Sequence, residues 1–268
     1  MLSAKKILFP THFLEFSEKV FQYAIQVAEA FEADIELLHV YTNTFEVSVP
    51  SVGRFQVQKE EEERVQKQME SFIERNVPKD FKGKVNTNIV TGFVRDGIID
   101  FCNNKGDIDL IVLGTRGNYS LSKAIWSDRV AYILEKAQPP VLVVPEGGEF
   151  KFAKTIACAT MPDQGETVQQ VLSLAKGFDA KVYIVAIKGI SSASDLSKTL
   201  DTNIYDNVEF SEIEAGAGVA GILKFIEQHN VDLLVMHAPY RNRLSRLIRY
   251  SKAQKLAIAT KIPMLVFK

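Results

Sequence analysis

The stretch Asp109-Leu110-Ile111-Val112-Leu113-Gly114-Thr115-Arg116-Gly117 decides the fold of this chain. Leu110 to Leu113 is fully apolar, as a strand buried on both faces is, and such strands belong to parallel sheets covered by helices. The glycine-bearing turn that follows is where an α/β protein sets backbone N–H groups against a phosphate. The same run recurs as Asp232-Leu233-Leu234-Val235-Met236. A fold reading therefore has to account for two copies of one unit.

Outward from Asp109, the first half alternates strand and helix patterns. Lys6 to Pro10 and Ile35 to Tyr41 read as strands, and Lys84 to Val90 alternates as a third. Val141-Leu142-Val143-Val144 repeats the doubly buried pattern. Between Ser17 and Phe31, apolar residues Val20, Phe21, Ala24, Ile25, Val27 and Ala28 recur at helical spacing, with Ser17 as the expected N-cap. Glu60 to Arg75 is a charged helix with Val65, Met69 and Phe72 as its apolar stripe. Asp96 to Asn103 and Ser122 to Lys136 complete the helices. Strands separated by helices predict a doubly wound parallel sheet.

The second half repeats this order. Lys154 to Cys158, Val182 to Ala186, Asp232 to Met236 and Pro263 to Val266 match four strands of the first half, and Thr167 to Phe178 matches its first helix. Ile156 lies 149 residues beyond Ile7, whereas Asp232 lies 123 beyond Asp109, so the second copy is about 26 residues shorter. The charged helix is the expected loss. Gly147-Gly148-Glu149 is the expected joint, dividing the chain into domains 1–147 and 150–268.

Composition sets bounds on function. The 268 residues are 46% hydrophobic and 24% charged, which fits a globular chain with a core in each half. Lys and Arg total 32 against 33 Asp and Glu, so no global pull toward nucleic acid or anionic membrane is expected. The apolar stretch after Met1 is short and broken by Pro10 and His12, so no signal peptide is expected. No apolar run reaches membrane-spanning length. Cys102 and Cys158 lack motif spacing, and a reducing, cytoplasmic setting is expected. The four histidines and two cysteines show no metal-ligand spacing.

With the order of elements in place, the chain resembles a tandem, two-domain member of the universal stress protein family. The resemblance rests on Lys6-Ile7-Leu8-Phe9-Pro10-Thr11, Ser17, Ala24, Ala28, Ala33 and Leu38-His39-Val40. It continues through Gly92, Asp109 to Gly114, Arg116-Gly117 and Pro140 to Pro145. It implies two adenine-nucleotide alpha-hydrolase-like α/β sheets of five-stranded type. It further implies a pseudo-dimer in which the last strands, Val141 to Val144 and Met264 to Phe267, pair within one polypeptide. Further association into a homo-oligomer, and an unidentified protein partner, belong to the same expectation. Nucleic acid and membrane do not.

Many members of that family bind ATP through two glycines separated by two residues, then nine residues, then Gly with Ser or Thr. An acidic residue ends their first strand. Carried over, the candidate adenine-nucleotide site is Thr11, His12, Val40, Gly114, Arg116, Gly117, Ser127 and Asp128. Only the first glycine pair matches the loop. Ser127 stands at the third glycine, Asp128 at the hydroxyl residue and His12 at the acid. A carboxylate at Asp128 repels phosphate, and Arg116 offsets part of that charge. Each residue also has a structural reading. The glycines serve as turn residues, Arg116 as a solvated loop charge, Ser127-Asp128 as a helix N-cap, and His12 as an uninvolved loop histidine. In the second copy His237-Ala238-Pro239-Tyr240 replaces the glycine pair, and Met161 stands opposite His12.

Other features stay outside that site. Arg241, Arg243, Arg246, Arg249 and Lys252 form a basic run, read either as a patch for an acidic partner or as a solvated helix face. No nucleophile elbow, P-loop or metalloprotease motif occurs, so a non-enzymatic protein is expected.

Overall fold

The structure is a computed structural model that describes residues 4–42, 51–115, 122–145, 153–189, 191–214, 218–237, 255–257 and 259–268; the side chains of 51–55, 57 and 122–128 lie outside that description. By its internal contacts the chain divides into two compact units. One is Ala4–Gly114; the other is Thr115–Lys268 with the first three residues. The sequence repeat turns over instead at Gly147–Glu149, which lies outside the described residues. Repeat and compact unit are therefore different divisions of the chain.

In the first unit, β1 (Lys6–Pro10), β2 (Asp34–Tyr41) and β3 (Val85–Thr91) alternate with α1 (Glu15–Phe31), α2 (Ser51–Asn76) and α3 (Val94–Lys105), and β4 begins at Leu110 and ends at Thr115. The strands lie in the order β3-β2-β1-β4, all parallel. A parallel pair needs a long crossover, and the helices supply it. Chain order runs outward from β1 through β2 to β3, then returns to the other side of β1 at β4. The carboxyl ends of β1 and β4 therefore flank a topological switch point, where open α/β sheets hold ligands.

The second unit contains α4 (Ser122–Lys136), β5 (Val141–Pro145), β6 (Thr155–Ala159), α5 (Gly165–Phe178), β7 (Lys181–Ile187), α6 (Ala193–Thr199), β8 (Val208–Ile213), α7 (Gly218–Gln228), β9 (Leu233–His237) and β10 (Met264–Phe267). Its strand order is β5-β10-β9-β6-β7-β8. β10 is antiparallel to β5, with Leu265 opposite Leu142, while the other pairs are parallel. The shortening falls at the charged helix, which is 26 residues long as α2 and 7 residues as α6. β8 and α7 are elements that the sequence pattern did not delimit.

Equivalent bonds confirm the repeat. One carboxylate oxygen of Asp109 accepts the backbone N–H groups of Lys5 (2.7 Å) and Lys6 (2.9 Å). One oxygen of Asp232 accepts those of Lys154 and Thr155, each at 2.9 Å. The backbone N–H of each aspartate donates back, to Lys6 O at 2.9 Å and Thr155 O at 2.8 Å. The buried faces of the first helices also correspond: Val20, Phe21, Ala24, Ile25 and Ala28 in α1 match Thr167, Val168, Val171, Leu172 and Ala175 in α5.

Ser17 does not cap α1. The N-cap is Leu14, which has no capping side chain, and Ser17 is buried inside the first turn. Ser127 and Asp128 fall inside α4 rather than at its start, so they do not cap it either. The basic run from Arg241 to Lys252 lies outside the described residues.

Replacing Asp109 or Asp232 by alanine leaves two backbone donors without their acceptor. Each substitution should lower unfolding stability by about 1–3 kcal/mol in urea titrations.

Candidate functional site

The first repeat closes its switch point with a self-contained loop. The Thr11 N–H donates to Leu38 O (2.8 Å), and the Thr11 hydroxyl accepts the Phe13 N–H (3.1 Å). The Thr11 carbonyl lies 2.9 Å from His39 Nδ1. A carbonyl only accepts, so Nδ1 carries the hydrogen and Nε2 is the bare nitrogen of the neutral ring. Phe13 has φ 59, a left-handed conformation uncommon outside glycine. This turn lays its ring on His39, 4.7 Å between centroids, with Phe72 edge-on at 5.9 Å. Burial lowers the His39 pKa, against the opposing pull of its bond to the Thr11 carbonyl.

Gly114 lies on β4 three residues beyond Ile111, the partner of Leu8 on β1. A Cβ on Gly114 would sit 2.6 Å from the Phe16 ring and 2.9 Å from Val20. Glycine is needed here because α1 packs directly on the strand end. Val40 is held by a matching approach from α3, where a Cβ on Gly97 would lie 2.8 Å from its side chain.

The second repeat answers the same geometry differently. His237 stands where Gly114 does, and its Nδ1 is hydrogen-bonded to the Thr167 hydroxyl at 2.8 Å. Thr167 corresponds to Val20 in the buried helix face. A bare glycine against an apolar valine has thus become an imidazole bonded to a threonine. Gln164 closes the rest: its side-chain oxygen accepts the Thr160 hydroxyl and the Met161 N–H, each at 3.1 Å.

The Universal stress protein family profile matches residues 3–145 and 188–268, in both repeats. The chain belongs to the universal stress protein family. It is 28% identical over 144 residues to a universal stress protein of Methanocaldococcus jannaschii, spanning 52% of this chain and 81% of that one. It is 26% identical over 188 residues to one from Synechocystis, spanning 66% of this chain and 63% of that protein. In fold it is similar to the crystal structure of a universal stress protein from Archaeoglobus fulgidus, with TM-score 0.74, 17% identity, and coverage of 100% of this chain and 97% of that one.

Of the site residues read from this universal stress protein sequence, the structure brings Thr11, His12, Val40 and Gly114 to the carboxyl ends of neighbouring strands. Arg116 and Gly117 lie outside the described residues, as do the side chains of Ser127 and Asp128. Sequence reasoning missed Gln164 and Thr167; pairing Val20 with Thr167 and Gly114 with His237 was the signal available. It also missed Glu36, a buried carboxylate on β2 that accepts Asn86 (3.2 Å) and Asn88 (2.7 Å) and pairs with Lys105 (3.7 Å). Burial pushes the Cys102 and Cys158 thiols up to about 12, so both are neutral and unreactive near pH 7. Among the described residues no group of three or more His, Cys, Asp or Glu is placed to hold a metal.

Two outcomes test this geometry. Gly114→Ala should cost about 1–3 kcal/mol of stability by overpacking against Phe16, measured by urea unfolding. Because the His39 pKa is lowered in the fold, the unfolded chain takes up its proton first. The His39 contribution should be complete above about pH 6.5 and decline as pH falls below it. That part of the slope should vanish in His39→Gln, read from urea midpoints between pH 5 and 7.5.

Proposed function

We propose that the protein is a non-enzymatic, cytoplasmic stress-response regulator whose first repeat holds an adenine nucleotide weakly and whose second repeat is structural. The observation that supports this reading is the exchange at one equivalent position. The first repeat keeps a side-chain-free backbone at Gly114, whereas the second fills the place with His237 bonded to Thr167. Weak affinity follows from two departures from the family pattern: His12 is not an acceptor-only carboxylate, and Asp128 puts negative charge where the family has a hydroxyl residue. The neutral cysteines and the closed loop at Thr11 are structural in this proposal, and no catalytic step is assigned. Among the described residues no helix is long and apolar enough to cross a membrane.

A second reading has its own support. The Thr11 groups are all engaged within the protein, and Phe16 covers Gly114. On that reading the glycine is a packing residue, and the protein is an interaction module without nucleotide.

Titration calorimetry with ATP, ADP and AMP in the presence of Mg²⁺ separates the two. The first reading expects a dissociation constant near the millimolar range, about −4 kcal/mol. It also expects tighter ATP binding in Ser127→Gly/Asp128→Ser and no change in His237→Ala. Absence of heat and of any thermal shift at millimolar nucleotide would sink it in favour of the second.

A further inference from the structure

Away from the switch point, a groove of about 520 Å³ lies between the end of β3 and one face of α3. Val90 and Thr91 of the strand line it. Phe93, Asp96, Asp100 and Phe101 line it from the helix side, at the spacing of one helical face. Phe93 is 72% exposed, unusual for a ring of that size.

The strand beside this groove is an edge. Among the described residues β3 pairs with β2 along its whole length, Val85 to Thr91, and nothing pairs with its other side. In a ladder the backbone groups of alternate residues point outward at such an edge, ready to bond an added strand. Proteins guard edges with charge, proline or bulges. β8, the edge of the other unit, is guarded: Glu209 pairs with Lys181 at 2.8 Å, and Glu212 accepts the Ala193 N–H at 2.9 Å. β3 reads Val-Asn-Thr-Asn-Ile-Val-Thr, with no charge and no proline.

We propose that the outer edge of β3, together with the Phe93–Phe101 face of α3, docks an extended, basic and apolar segment of a partner protein by strand addition. A strand added to β3 points alternate side chains to the α3 side of the sheet, into the groove. Phe93, Phe101 and Val90 offer apolar contact there. Asp100 supplies negative charge, while Asp96 already faces Arg95 at 3.8 Å. Among the described residues that line the groove the cation is Lys105, which already faces Glu36 at 3.7 Å and lies 5.6 Å from the Phe101 ring centre. The groove therefore favours Arg or Lys on the incoming segment. A second copy of this chain, pairing β3 antiparallel to β3 about a twofold axis, is the alternative occupant that the experiment separates. The inference is independent of nucleotide binding.

Panning a displayed library of random heptapeptides against the immobilised full chain tests it. Enriched peptides should alternate apolar residues with Arg or Lys and bind less tightly as salt rises. They should bind Phe93→Ala/Asp100→Lys at least about tenfold more weakly. Both residues are exposed, and an unchanged circular dichroism spectrum shows that the variant is folded. Synthetic versions N-methylated at alternate residues should lose binding, which separates strand addition from charge attraction alone. No enrichment, an acidic consensus, or binding indifferent to the substitutions or to N-methylation would overturn the proposal. So would self-association of the wild-type chain in ultracentrifugation that Phe93→Ala removes, since it assigns the edge to a second copy.

Discussion

The structure depends on one bond pattern made twice. Asp109 leads into β4 and Asp232 into β9, and each carboxylate grips the two backbone N–H groups where the first strand of its repeat begins. The first and fourth strands are far apart in sequence, so closing that loop carries an entropic cost. A short side chain with a charged acceptor anchors the pair at one end, and charge-assisted bonds to backbone donors are among the stronger kinds. Once the amino ends are joined in register, the carboxyl ends flank a switch point. The site question arises there.

What the two repeats do at that point differs by paired substitution. In the first, Phe16 and Val20 lie against Gly114, and Phe13 folds onto His39. In the second, His237 bonds Thr167, and Gln164 occupies the loop. Each arrangement is locally consistent, because a buried polar group must find a partner. Changing one member alone would leave either a void, a clash or an unpaired donor. The proposed nucleotide site therefore concerns the first repeat alone. The same contrast separates the outer strands, with charged β8 and uncharged β3.

Much of the architecture was legible in the residues. Runs such as Leu110 to Leu113 and Val141 to Val144 are apolar throughout because helices cover both faces, and that is a one-dimensional signal. Residues 60–75 of α2 were legible from Val65, Met69 and Phe72, whereas its first turns, 51–59, were not. Local end chemistry was less so. Ser17 has the composition of an N-cap, yet α1 starts at Glu15 with Leu14 as its cap residue, and packing buries the serine. Ser127 and Asp128 likewise look like a cap but lie within a helix. Cap propensity yields where tertiary contacts set the first turn.

Sequence by itself determined that the chain is a duplicated α/β unit, shortened in its second copy, with Gly114 and Gly117 kept in the first copy and replaced in the second. Those properties reside in periodicity, spacing and residue type. Only the tertiary structure decided that Gly114 is bare because Phe16 packs on it, that His237 and Thr167 replace that contact, and that Glu36 is buried among Asn86, Asn88 and Lys105. The physical reason is that each of these contacts joins residues distant along the chain. Close packing and polar pairing act on distances in space, and no local pattern encodes them.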